Sequence, residues 1–163
     1  MAKERQGKIR DFVAVANRTL RENPATSLLG FEAVSVTRGR AVLRLDVQER
    51  HRQLHGVVHG GILAALADTA SAIAVYTTVP PGTAIATVEL KINYLEAVPA
   101  GRVKAIGRVL RKGRNFAVAE CELWDGRGEL AAKALLTFGA AGGHSMSGKR
   151  DRAEAGPKKR RRV

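Results

Sequence analysis

Between residues 53 and 68 the chain carries Gln53, the run His59-Gly60-Gly61, and Asp68. If a helix begins at the glycines, its first turn holds backbone N–H groups with no partner inside the helix. Glycine also lets another group come close to that backbone. Such a start attracts anions and polarised carbonyls. A carbonyl under nucleophilic attack gains negative charge, so a donor placed there favours the transition state over the ground state. Asp68 adds a second component, because it interrupts the apolar run ILAALADTASAIAV. Burial there requires a partner or a raised pKa, and a carboxylate so placed can serve as nucleophile or general base toward an acyl carbon. The plainer alternatives are a carboxylate that caps a loop or pairs with an arginine, and two glycines that only make a sharp turn.

Gly60 and Asp68 stand eight residues apart, about 12 Å along one helix. At that separation they do not meet one carbonyl from the same helix. Either the two are unrelated, or donor and carboxylate come from two subunits that share an interface. His59 lies nine residues from Asp68, on the opposite helix face. A His–Asp dyad within one chain is therefore not expected, which leaves His59 a positioning or capping role.

The elements that must hold these residues follow from the apolar periodicity. Residues 8–22 place Ile9, Phe12, Val13, Ala16 and Leu20 at helical spacing, and Asn23-Pro24 ends that pattern. Two alternating stretches, 31–37 and 40–47, flank Arg38-Gly39 as a hairpin, with Val34, Val36, Leu43, Leu45 and Val47 as its inward residues. The Ala-rich segment 59–78 is long enough to read as a helix, and Pro80-Pro81-Gly82 stops it. Strands are then expected at 83–95, 101–111, 115–124 and 129–138, with tight turns at Lys112-Gly113 and Asp125-Gly126. Helix, two strands, a long apolar helix and four strands make an α+β domain with an antiparallel sheet. Only seven residues are aromatic, so the core is expected to be built from Ala, Val, Leu and Ile.

Composition narrows the function. Cys121 is the single cysteine, which excludes an intramolecular disulfide or a multi-cysteine zinc site and fits a reducing, cytoplasmic setting. The first twenty residues lack the apolar core of a secretory signal. Asp68, Thr69 and Ser71 interrupt the longest apolar stretch, so no membrane span is expected. His51, His55 and His59 lack a known metal spacing, and neither a metal nor another cofactor is expected. The net charge is +13, of which residues 149–163 carry +6. Residues 140–163 are expected to be a disordered basic tail, a flexible electrostatic arm with no specific nucleic-acid partner. A second basic group, Arg108, Arg111, Lys112 and Arg114, suits the phosphates of a nucleotide-bearing substrate, or is simply a solvated turn.

Taken together, Gln53 through His59-Gly60-Gly61, Leu66-Ala67-Asp68-Thr69-Ala70, the strand Thr87-Val88-Glu89-Leu90-Lys91-Ile92-Asn93-Tyr94-Leu95 and the strands from Val109 to Phe138 resemble the hotdog-fold acyl-CoA thioesterases of the phenylacetate-degradation (PaaI-like) and 4-hydroxybenzoyl-CoA thioesterase type. The resemblance covers about residues 30–139, leaving 1–29 as an N-terminal helix and connection. It implies a long helix wrapped by a curved antiparallel sheet, paired at the sheet edge into a homodimer and often assembled into a homotetramer. It implies hydrolysis of acyl-CoA, with Asp68 attacking the carbonyl or activating water, and the Gly60 N–H polarising the carbonyl. Gln53 stands where the family commonly has asparagine, and Gln53 and Thr87 would orient carbonyl or water. His59 and Gly61 would shape the helix start around the substrate, and Arg111, Lys112 and Arg114 would meet the CoA phosphates. Two rivals fit the same pattern: a hotdog acyl-thioester dehydratase or hydratase, and a non-catalytic acyl-CoA-binding protein whose tail binds polyanions.

Overall fold

A computed structural model describes residues 2–141 and Met146, with side chains from Phe12 onward. The first apolar pattern forms α1 (Ala2–Glu22). Ala16 and Leu20 are buried and Val13 packs against the core, whereas Phe12 stays 40% exposed. Asn23 ends α1 and at once starts a short helix that the sequence pattern does not announce. Its side-chain oxygen accepts the N–H groups of Ala25 and Thr26 at 3.0 and 3.5 Å. Pro24 sits in the first turn, where its missing N–H costs nothing. The result is α2 (Pro24–Leu29), closed by Gly30 at φ 70°.

The hairpin β1 (Glu32–Thr37) and β2 (Arg40–Asp46) turns through Gly39. Val36, Leu43 and Leu45 are buried as expected, and Val47 packs partly against the core, but Val34 is 52% exposed. The pairing register shifts between Ala33 and Ser35. This bulge breaks the two-residue alternation, so Ala33 and Val36 face inward and Val34 does not. The outward amide and carbonyl of Ala33 are both taken by the Asn17 side chain of α1, at 2.8 and 2.9 Å. A helix thus lies over the β1 edge, one of the ways sheets shield an edge strand.

After the 3₁₀ turn Glu49–His51 come α3 (Gly60–Tyr76), β3 (Ile85–Tyr94), β4 (Arg102–Lys112), β5 (Phe116–Trp124) and β6 (Leu130–Ala140). The six strands form one antiparallel sheet in the order β1-β2-β4-β5-β6-β3. β3 does not pair with β4, its successor in sequence. It crosses to the far edge and pairs with β6. The sheet wraps α3, which packs against all six strands and buries Leu63, Leu66, Ala67, Ala70, Ala74 and Val75. This is the helix-in-sheet arrangement that the resemblance implies.

The expected basic tail lies outside the described residues, apart from its first two positions and Met146. Ala140 is the last residue of β6. Met146 is buried, donating its N–H to the Arg114 carbonyl at 2.8 Å.

The distance between α3 and the sheet is set at Gly107 of β4. A Cβ built there would stand 2.7 Å from the carbonyl carbon and oxygen of Ala70 and 2.8 Å from the Ser71 nitrogen. Gly107→Ala therefore forces helix and strand apart. The expected loss is about 1–3 kcal/mol of stability, measured as a fall in the urea midpoint.

Candidate active site

The start of α3 is held from several directions. His59 is its N-cap, with Nδ1 accepting the Gly61 N–H at 2.9 Å. That bond makes His59 a side-chain cap of the helix. The His59 carbonyl accepts from Ile62 at 2.9 Å, and the Tyr94 hydroxyl donates to the Gly60 carbonyl at 2.9 Å. The Gly60 N–H has no partner among the described residues. One backbone donor is therefore open where the first turn of the helix faces a groove.

That groove has a volume of about 280 Å³. Gln53, Gly60 and Tyr94 line it with the apolar Val58, Leu63 and Val98. Gln53 gets there through a tight return of the chain: Arg52 bridges Val58, the Gln53 N–H donates to the Val57 carbonyl at 2.8 Å, and Gly56 takes φ 77°. Beneath this loop His51 is 1% exposed, its Nδ1 accepting the Gln48 N–H at 3.0 Å. Its carbonyl accepts the His59 N–H at 2.8 Å. Burial and the neighbouring Arg50 guanidinium hold the His51 pKa below the ordinary histidine range, which keeps the ring neutral.

Asp68 lies two turns on, half-buried at the margin of the helix face that packs on the sheet. The Thr87 hydroxyl donates to its Oδ1 at 2.8 Å. Burial pushes the Asp68 carboxyl above the usual aspartate range, and the Thr87 hydrogen bond opposes that shift. The bond forms because β3 crosses to the sheet edge beside α3. No sequence signal distinguishes Thr87 from its neighbours apart from the resemblance.

The candidate residues therefore fall into two groups. Gln53, His59, Gly60 and Gly61 sit around the N-terminus of α3 beside Tyr94, and Asp68 pairs with Thr87 toward the start of β3. Arg111, Lys112 and Arg114 belong to the β4–β5 hairpin and are exposed. Lys112 lies opposite Ala117, Ala117 opposite Phe138, and Phe138 opposite Thr87. The hairpin is thus three strands from Thr87, about 14 Å, and at the opposite end of β3 from Tyr94. Within one chain these bases do not border the Gly60 groove. Lys112 Nζ is turned to the Met146 carbonyl at 3.1 Å. Cys121 is buried and its thiol is pushed up to about 12, which leaves it as core packing. Tyr94 lies in the Asn-Tyr-Leu run that marks its strand, but nothing in that run signals the bond its hydroxyl makes to Gly60.

The family profile described as the thioesterase superfamily matches residues 55–132. The chain is 33% identical over 97 residues to the 1,4-dihydroxy-2-naphthoyl-CoA hydrolase of Listeria monocytogenes, spanning 60% of this chain and 79% of that one. Thioesterase HI1161 of Haemophilus influenzae superposes with a TM-score of 0.74 at 27% identity, covering 78% of this chain and 89% of its own. The E. coli PaaI protein of the phenylacetic acid degradation operon gives a TM-score of 0.73 at 26% identity, covering 82% and 96%.

Because the Asp68 pKa is raised in the fold, its contribution to stability is full below the ordinary aspartate range and is lost as pH rises through the shifted value. At neutral pH the ionised carboxylate is a net cost. Asp68→Asn is expected to raise the denaturation midpoint at pH 7, with the advantage shrinking as pH falls through the raised value and gone by about pH 4, the ordinary aspartate range. Urea titrations at the two pH values measure both.

Proposed function

The chain belongs to the thioesterase superfamily, and from its membership as a thioester hydrolase we propose that it cleaves acyl-CoA to a free acid and CoA in an active site shared by two subunits. The observation that carries this is the pairing of Asp68 with Thr87 at 2.8 Å, away from the groove where the Gly60 N–H is open. An acyl carbon held by one cannot be reached by the other on the same helix.

A second copy supplies the missing half. Among the described residues β3 is the edge strand without a helix over it, and Val88, Tyr94 and Leu95 on and beside it are more than half exposed. Antiparallel pairing of β3 with its own copy about a two-fold axis sets the Tyr94 end of one strand beside the Thr87 end of the other. Gly60 and Gln53 of one subunit then face Asp68 and Thr87 of the partner subunit.

In that site the Gly60 N–H, strengthened by the N-terminal end of the α3 dipole, donates to the thioester carbonyl oxygen as charge builds on it. Gln53 orients the carbonyl or the attacking water. Asp68 either attacks the carbonyl carbon or takes the proton from water that does, and the Thr87 hydroxyl fixes its orientation. The C–S bond breaks and the departing thiolate takes up a proton, from the Asp68 carboxyl in the water route, to leave as CoA thiol; where Asp68 attacks the carbon itself, water then opens the resulting acyl–Asp68 anhydride to the free acid. With the proposed pairing, the basic hairpin of the subunit that donates Asp68 would lie at the same end as the shared site, where Arg111, Lys112 and Arg114 would meet the CoA phosphates. His59 is committed to capping Gly61, which favours hydrolysis over a hydratase that needs an acid and a histidine on the same carbons.

Purified protein is expected to release free thiol from at least one member of a panel of aryl, short-chain and medium-chain acyl-CoAs. Asp68→Ala should lower kcat on the order of 10²–10⁴-fold. The shared site adds a sharper measurement: Asp68→Ala and Gly60→Pro, which removes the open N–H, are each expected to be inactive, and the two proteins are dissociated and mixed in equal amounts. Heterodimers then carry one intact site, and activity should return to about a quarter of the unmodified level. No recovery after verified subunit exchange would sink the shared site.

A further inference from the structure

Two adjacent glycines are the most mobile residues that could begin a helix, and the aim of the Gly60 N–H depends on keeping them still. The peptide that joins Gly60 to Gly61 is held at both ends by side chains. Its N–H donates to His59 Nδ1 at 2.9 Å, and its carbonyl accepts from the Tyr94 hydroxyl at 2.9 Å. The preceding peptide is held through its own carbonyl, His59 O, by the Ile62 N–H at 2.9 Å. With both planes fixed, the torsions of Gly60 between them are fixed too, and the open N–H keeps one direction.

The rings also explain why both positions are glycine. A Cβ on Gly60 would meet the Tyr94 ring and hydroxyl at 3.1–3.3 Å, and one on Gly61 would meet the His59 ring at 3.0–3.1 Å. Each ring occupies the volume a side chain would need. Tyr94 belongs to the last turn of pleat in β3, the open edge strand, and it lines the same groove as Gln53.

We infer that Tyr94 is a positioning residue for the reaction: by donating to the Gly60 carbonyl it locks the Gly60–Gly61 peptide and so aims the Gly60 N–H at the substrate carbonyl. This rests on the proposed hydrolysis. It adds a group that acts through the backbone donor rather than on the substrate. A donor that is aimed before charge develops requires no reorganisation at the moment of reaction, so loss of the clamp falls on the transition state.

Tyr94→Phe keeps the ring and removes only the hydroxyl. With the best acyl-CoA of the panel, kcat is expected to fall on the order of tenfold while KM stays within about twofold, the pattern of an interaction felt in the transition state. The denaturation midpoint should stay near that of the unmodified protein. An unchanged kcat overturns the inference, and so does a raised KM at constant kcat, which would make Tyr94 a substrate contact. Amide hydrogen exchange at Gly61 tests the clamp without reference to activity. It should quicken in Tyr94→Phe, and unchanged exchange means the hydroxyl holds nothing. If the unmodified protein releases no thiol from any acyl-CoA, the hydrolysis proposal fails by itself, and the exchange result still decides whether the clamp exists.

Discussion

Everything in this fold is referred to the contact between the backbone of α3 and Gly107 of β4. Helix and strand touch there without an intervening side chain, and the helix face around it is built from alanines with a few leucines and valines. Small residues bring a helix close to a sheet, and closeness fixes its axial position as well as its depth. The far end is tied as well, since the Thr77 hydroxyl accepts the Gly39 N–H at 2.7 Å and anchors α3 to the β1–β2 turn. With depth and far end set, the first turn of α3 can only arrive beside Tyr94, and Asp68 can only arrive beside Thr87.

The same packing creates the local cost that the proposed chemistry would use. A wholly apolar residue at position 68 would suit the interior better than a half-buried carboxylate whose pKa is driven up by burial. Thr87 offsets part of that cost and at the same time orients the carboxylate. Retaining an unfavourable group where a favourable one would fit is the usual mark of a site kept for activity rather than stability. His51 works in the opposite sense: buried and neutral, it stabilises the loop that carries Gln53 and takes no part in the groove.

Much of this is legible in the sequence. Long apolar periodicities announced α1, α3 and most strand positions, because burial of a face leaves a repeat in the sequence. The eight-residue interval between Gly60 and Asp68 already separated donor from carboxylate. What escaped was whatever depended on a single residue breaking a repeat or on a pairing distant in sequence. The bulge at Ala33 and Ser35 turned Val34 outward, and α2 arose from one capping asparagine. The pairing of β3 with β6 has no local signal at all, and the bonds of Thr87 to Asp68 and Tyr94 to Gly60 follow from it. The basic residues 111, 112 and 114 were legible as a cluster, but their distance from the Gly60 groove was not.

The clasp of Asn17 on Ala33 has a wider consequence. An open sheet has two edges, and a sheet with two exposed edges can add copies without end, which is the geometry of a fibre. Here one edge strand is short, bulged and occupied by a helical side chain. Under the proposed pairing, strand addition would proceed only from the other, so growth would stop after one copy with a clasped β1 strand at each end. In a dimer of that kind the N-terminal helix would act as a chain terminator, turning a surface able to polymerise into one that closes on itself.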